Sequence, residues 1–408
     1  MKKCLSLLLV LLLCAGCALA EEELAIVHAT DMHYFSPALH DGGPYFMEIL
    51  EAGDGKVTHY SSELMQAFVR QMLTLMPDAI ILTGDLTLNG EPQSHAELAA
   101  MLTPLKEAGI RVLALSGNHD AQANAWYITD NEAWVLEPLA DDQFDDVYAA
   151  FGYDDALSRD TVSHSYVAEL SPQVRVLLVD VNTNGTSGTV AQETLAWIES
   201  QLIAARDAGA TVIAATHQPA LIHNPMFTFG YVINNAGNLT ALLRQYGVTL
   251  NLAGHLHMQH IAQEDGLTEI VTSSLAVSPL QYGVVRITDG RLRDYATQSV
   301  DVSGWAAAEG LADPVLADFA AYAADFFDRV SLGSVYGFLE SSGLAEEIQA
   351  RMLDFVLTLN ADYFAGTRQP DTDQEAWTLW QIHGQQSFLL NYMESMLQVT
   401  QPMNAHTF

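Results

Sequence analysis

A chain of 408 residues, half of them apolar, can build one large core and a smaller second one, and is too apolar to be mainly disordered. Its 50 acidic against 16 basic side chains leave a net charge of −34, which excludes an electrostatic footprint for nucleic acid or anionic membrane. An anionic small substrate must then be drawn in by a local positive centre, and bound metal is one source of it.

The chain begins with Lys2 and Lys3, an apolar run over residues 5–13, and Ala18-Leu19-Ala20 before three glutamates. This pattern predicts a signal peptide over residues 1–20 and export of the remainder. The run is too short for a comfortable membrane span. Cys14-Ala15-Gly16-Cys17 offers the alternative of a lipoprotein anchored through Cys17. All three cysteines (Cys4, Cys14, Cys17) lie in this segment, so the mature chain has no disulfide and no thiolate ligand. Metal chemistry in it has to use His, Asp and Asn.

Residues 24–29 predict a first strand, which delivers Asp31-Met32-His33. Residues 34–60 read as a long Gly-rich, irregular loop, a kind that beside a site is more often functional than decorative. Leu64, Phe68, Met72 and Leu75 predict a helix over 61–75, with Ser61 or Ser62 as its cap and Pro77 beyond its end. Strand 79–83 then delivers Gly84-Asp85. A helix over 94–108, carrying Pro104 as a kink, leads to strand 111–116 and Gly117-Asn118-His119-Asp120. The acidic, aromatic segment 121–160 interrupts this alternation and is expected to pack over the site. Two strands (163–170, 174–180), a helix (191–208) and strand 211–216 deliver His217. After a connection over 218–236, strand 248–253 delivers Gly254-His255-Leu256-His257, and 269–274 and 282–288 read as closing strands.

Beyond residue 300 the pattern becomes helical. Val315, Phe319, Tyr322 and Phe326, then Leu344, Ile348, Met352, Phe355 and Leu359, mark two helices, and 377–399 reads as a third. The expected organisation is a domain over 21–300 followed by an acidic helical appendage over 301–408, either a brace for the first domain or a docking module.

Five polar clusters thus follow five buried strands. Helices between several of them favour parallel strands, and ligands gather at the carboxyl ends of such strands. Carboxylates can bridge two ions, and imidazoles suit zinc, iron and manganese. His255 and His257 are expected to share a site with the chain bending after Gly254. Two neighbouring ions lower the pKa of a shared water and stabilise charge on a phosphoryl group.

The series D-x-H, G-D, G-N-H-D, H and G-H-x-H resembles the calcineurin-like metallophosphoesterases, all five blocks standing in order within residues 24–290. The resemblance implies an α/β fold of four layers, a β-sandwich flanked by helices. It implies two transition-metal ions (iron, manganese or zinc), one held by Asp31, His33 and His257, the other by Asn118, His217 and His255, with Asp85 bridging. The nucleophile is then a metal-bridging hydroxide. His119 stabilises the transition state or protonates the leaving oxygen, and Asp120 orients His119 and holds it protonated.

The resemblance implies a small phosphoester substrate without separating monoester from diester. A cyclic-nucleotide or nucleotide phosphodiesterase is one alternative. A non-catalytic scaffold on the same fold is another, though it has no need of seven metal-binding side chains. Tyr34, Asn89, Tyr127 and His223 are the further substrate-pocket candidates. The aromatics over 126–148 read as a small loop core or as a base-stacking platform.

Overall fold

The central strands are short, nearly fully buried apolar runs whose side chains alternate between two faces, and they assemble into two stacked sheets. The computed structural model describes residues 22–120, 124–129, 131–182, 187–369, 372–384 and 388–408. The expected signal peptide, with Cys17, lies outside the described residues.

One sheet runs Ala405–Thr407, Arg291–Ser299, Gln281–Thr288, Glu23–Ala29, Ala79–Thr83, Arg111–Leu115, the last three parallel. The other runs His260–Glu264, Leu267–Val271, Leu250–Ala253, Thr211–Thr216, Val174–Val179, Tyr166–Ser171, Ser158–Arg159. Its Leu267, Leu250, Thr211 and Val174 strands are parallel. Val174, Val176, Leu178, Ile213 and Ala215 enter one core with Ile26, Val27 and Ile81 of the first sheet. Leu177, Val179 and Ala214 face the other way, onto Leu195 and Ile198 of helix Gln192–Ala208 and Leu239 of helix Ala236–Gln245. Helices Ser61–Leu75 and Pro92–Glu107 pack with the first sheet through Leu64, Phe68, Leu98 and Leu102. The layering is helix, sheet, sheet, helix, as expected.

Several local expectations are corrected. The loop over 34–60 contains helix Pro44–Glu51, started by Pro44 and buried through Phe46 and Leu50; glycines on either side mask it in sequence. Ser61 is not a cap but the first helical residue, its hydroxyl accepting from Phe35 N–H and donating to Phe35 O. Segment 121–160 contributes a hairpin, Ala125–Ile128 with Ala133–Leu136. The helix expected over 377–399 is two, Gln374–His383 and Phe388–Leu397, the first capped at Gly384.

The segment after residue 300 joins the sandwich in three ways. Val302, Ala306, Phe319 and Phe326 join the large core on its helical side, beside helix Ser61–Leu75. Later helices close a second core around Met352, Phe355, Trp380 and Met396, which also takes Met258 from beside the last motif. The Trp380 indole N–H is satisfied by Met352 O at 2.9 Å. Finally Ala405–Thr407 returns to pair with Asp294–Ala296. Among the described residues no helix is long and apolar enough to cross a membrane.

Candidate metal centre

Five of the polar motif residues adopt left-handed backbone: Asp31 (φ 52°), His33 (43°), Asp85 (48°), His255 (69°) and His257 (56°). Residues two apart already share a face of an extended chain, and the left-handed turn at each of these residues bends the chain where the donors meet. The bend expected at Gly254 is therefore spread over the histidines themselves. Such conformations cost about 1–3 kcal/mol each and persist only where neighbours over-determine them. Here Asp31 N–H donates to Gly84 O (3.0 Å), His33 N–H to Asp85 O (3.0 Å) and Gly254 N–H to His217 O (2.9 Å). The motif glycines are needed for contact: a Cβ on Gly117 would stand 2.2 Å from Asp85 N, and one on Gly254 would stand 2.0 Å from Thr30 Oγ1.

The result is two groups of donors sharing one carboxylate. Asp31, His33, Asp85 and His257 each place a ligand atom within 4.8 Å of the others, and so do Asp85, His217 and His255. His33 Nε2 lies 3.1 Å from His257 Nε2 and 3.8 Å from Asp85 Oδ2. His217 Nε2 lies 3.3 Å from Asp85 Oδ1 and 3.0 Å from Asn118 Oδ1. All seven expected ligands are thus brought to one place.

The donor set fits a pair of metal ions. Asp31 Oδ2 accepts from Thr30 hydroxyl (2.7 Å) and His255 N–H (2.9 Å), whereas its Oδ1 is buried without a hydrogen-bond partner, 3.3 Å from His257 Nε2. His217 Nδ1–H donates to Thr83 O (2.8 Å), which leaves the Nε2 lone pair for an ion. Without an ion these groups compensate one another. Burial opposes charge on His217, but the Asp85 carboxylate overrides it and raises that imidazole to about 9. Burial opposes charge on His257 as well, and Asp31 raises it to about 9. Burial would raise Asp31 and Asp85 too, yet the facing histidines hold both below the ordinary carboxylate range.

His119 stands at the rim with Nε2 4.0 Å from Asp85 Oδ2 and its side chain a third exposed. Asp120 does not touch its ring. The Asp120 carboxylate turns inward, accepting Gly117 N–H (2.7 Å) and Thr87 N–H (2.9 Å), and so ties the third motif loop to the second. The expected role of Asp120 in orienting and charging His119 is therefore corrected to that of a buried loop clamp. Asn89 takes the orienting place. With its amide turned so that the oxygen accepts from Trp126 Nε1 (3.0 Å), its NH2 donates to Leu88 O (2.9 Å) and to His119 Nδ1 (2.8 Å). Nδ1 also lies 2.9 Å from Leu88 O, so that carbonyl and the Asn89 amide together fix the ring with Nε2 facing the donors.

Two neighbours were not legible in sequence. Asp54 Oδ2 lies 3.4 Å from His257 Nδ1, and Lys56 Nζ lies 3.1 Å from Asp54 Oδ2 with its side chain largely buried. The only available signal was one lysine among glycines in the loop over 34–60 of a strongly acidic chain. Asp54 and Lys56 share a cleft of about 730 Å³ with Asp85, His119, His255 and His257, and Phe327, Val330 and Ser331 of the appendage form its far wall.

The remaining sequence candidates divide. His223 is buried against Glu269 (3.1 Å) and His260 (3.0 Å), so it anchors a loop and does not line the cleft. Tyr34 is buried and donates to Glu97 (2.8 Å), and Tyr127 is exposed. Of the aromatics over 126–148, Phe144 and Tyr148 are core, while Trp126 reaches the site through Asn89.

With sandwich and donor set in place, comparison with known proteins defines the class. Residues 24–259 match the calcineurin-like phosphoesterases, and the chain belongs to that family. Residues 301–401 match the C-terminal domain of cyclic nucleotide phosphodiesterase. Among curated relatives, the chain is similar to a probable cyclic nucleotide phosphodiesterase of Rhodococcus erythropolis, 29% identical over 48% of this chain and 57% of that one. It is also similar to a cAMP/cGMP dual specificity phosphodiesterase of Mycobacterium tuberculosis, 24% identical over 62% of this chain and 67% of the relative. The chain thus spans little more than half to two thirds of the length of these relatives. Among solved structures, a dimetal phosphatase from Danio rerio aligns with a TM-score of 0.47 at 12% identity, over 67% of this chain and 95% of that one.

Proposed function

We propose that this protein is a metal-dependent phosphoesterase and that its substrates are cyclic nucleotide phosphodiesters. The observation that carries the reading is the sharing of Asp85 by two converging donor groups, with a partnerless buried oxygen on Asp31. Asp31, His33, His257 and Asp85 would hold one ion, and His217, His255, Asn118 and Asp85 the other. When bound, such a pair supplies an activated water and Lewis-acid stabilisation of phosphoryl charge. Iron, manganese and zinc all suit these donors.

The chain's own groups do the rest. His119 presents Nε2 to the leaving oxygen, which its charged imidazolium form would protonate, and Asn89 with Leu88 O holds the ring in that orientation. Lys56 places a cation beside the donors, where a phosphoryl group would carry negative charge. Asp54 accepts from His257 Nδ1, keeping that ring's Nε2 free for an ion. The match of the appendage supports the cyclic nucleotide reading, as do the names of the two curated relatives.

The test is metal analysis beside assays of a cyclic nucleotide, an aryl phosphodiester and an aryl phosphomonoester. About two transition-metal ions per chain and turnover abolished by chelation are expected. Asp85→Asn should lose metal and activity together, whereas His119→Ala should keep both ions and lower kcat by roughly 10²–10⁴. Loss of the ions from His119→Ala would overturn the assignment.

A further inference from the structure

Beside the metal cleft lies a second cavity of about 290 Å³ that shares Gly53, Asp54 and Lys56 with it. One wall is helix Pro44–Glu51, through Tyr45 and Ile49; the opposite wall is the hairpin, through Trp126, Ile128 and Ala133. Leu88 and Asn89 close the end nearest His119. The lining is mostly apolar with two aromatic side chains, whereas the adjoining cleft carries the imidazoles and carboxylates. Asn89 joins the two spaces, since its amide meets Trp126 Nε1 on the cavity side and His119 Nδ1 on the cleft side.

We propose that this slot is the leaving-group subsite, and that it takes a flat, uncharged aromatic ring system of nucleobase size. The inference rests on the phosphoesterase reading and adds to it the place and chemistry of the substrate's non-phosphate part. With phosphoryl over the shared donors and the leaving oxygen at His119 Nε2, the bonded alcohol reaches the slot past Gly53, Asp54 and Lys56, which border both spaces. At about 290 Å³ the slot falls just under the roughly 300–1,000 Å³ typical of small-ligand sites, so it suits one ring system and not a polymer or a pair of acyl chains. Aromatic walls with few polar atoms favour a flat π-surface. Asn89 and Thr58 supply polar atoms at its edge. The slot is built from the two insertions, helix Pro44–Glu51 and the 125–136 hairpin, and not from the sheets that hold the donors.

The test uses the full chain loaded with metal. Two quantities are measured in the wild type, in Ala133→Phe, which fills the slot from the hairpin, and in Tyr45→Ala, which removes its opposite aromatic wall. The first is the ratio of kcat/KM for a 3′,5′-cyclic purine nucleotide to that for the base-free ribose 3′,5′-cyclic phosphate. The second is calorimetric binding of adenosine, which has no phosphate. A wild-type ratio above tenfold, reduced at least tenfold in both variants, with adenosine binding lost from Ala133→Phe at unchanged circular dichroism, is the expected result. An unchanged ratio in the folded variants, or a wild-type preference for alkyl over aromatic leaving groups, overturns the slot while leaving the phosphoesterase reading intact. Adenosine binding that depends on Ala133, in a protein that hydrolyses no phosphoester, upholds the slot and removes the reading it was built on.

Discussion

At the scale of single residues the governing fact is that four acidic or imidazole charges share one buried space. In the metal-free protein Asp85 and Asp31 hold His217 and His257 protonated up to about pH 9, although burial opposes it. An ion needs the neutral imidazole, so metal must displace both protons, and apparent affinity should rise with pH until these groups titrate. Roughly two protons released per chain at pH 7, read by calorimetry in buffers of different ionisation enthalpy, is expected; release near zero would show that the carboxylates do not charge these rings. The same shift fixes the stability of the metal-free protein. A folded pKa raised above the unfolded value contributes stability that is complete below about pH 6.5 and is lost as pH climbs through about 9. Lys56 is the second case. Charge-assisted hydrogen bonds are worth about 1.5–3 kcal/mol. Lys56→Ala should therefore lower kcat/KM for an anionic substrate by roughly tenfold to a hundredfold with two ions still bound, and metal loss would reassign it to structure.

At the scale of elements, the left-handed turns after strands Glu23–Ala29, Ala79–Thr83 and Leu250–Ala253 decide whether the donors meet. Gly254→Ala would press its new methyl against Thr30 Oγ1 and Asp31 Oδ2, at 2.0 and 2.6 Å, displacing a ligand by way of a residue that binds nothing itself. Metal content should fall below one ion per chain. Gly209→Ala, at a helix end with open space around it, should keep both ions and cost about 1 kcal/mol in stability for its positive φ. The strands carrying the motifs were legible because each is a short apolar run bounded by turn residues, and the seven donors because each follows such a run. Other parts were hidden for physical reasons. Arg291–Ser299 alternates charged and apolar side chains near the sheet edge and lacks the continuous apolar signal of a buried strand. Asp54 and Lys56 gain their meaning only by meeting His257, some two hundred positions away. Asp120 follows His119 in sequence, yet the turn between them sends their side chains in opposite directions, so adjacency in the chain misled about adjacency in space.

At the scale of the whole molecule, a net charge of −34 surrounds a cleft that has to admit an anion. The long-range field opposes encounter, and Lys56 with the bound ions attracts only at close range. Raising salt from about 10 to 150 mM shortens the screening length from about 30 to 8 Å. It should therefore raise kcat/KM for a cyclic nucleotide severalfold; a fall would show that attraction at the cleft already outweighs the field. The return of Ala405–Thr407 to the first sheet has a consequence of its own during synthesis. Its partner Arg291–Ser299 is made about a hundred residues earlier, and at roughly 5–20 residues per second its outer backbone waits some 5–20 s for that cover. For that interval the nascent chain presents an open hydrogen-bonding rim to its neighbours on the polysome.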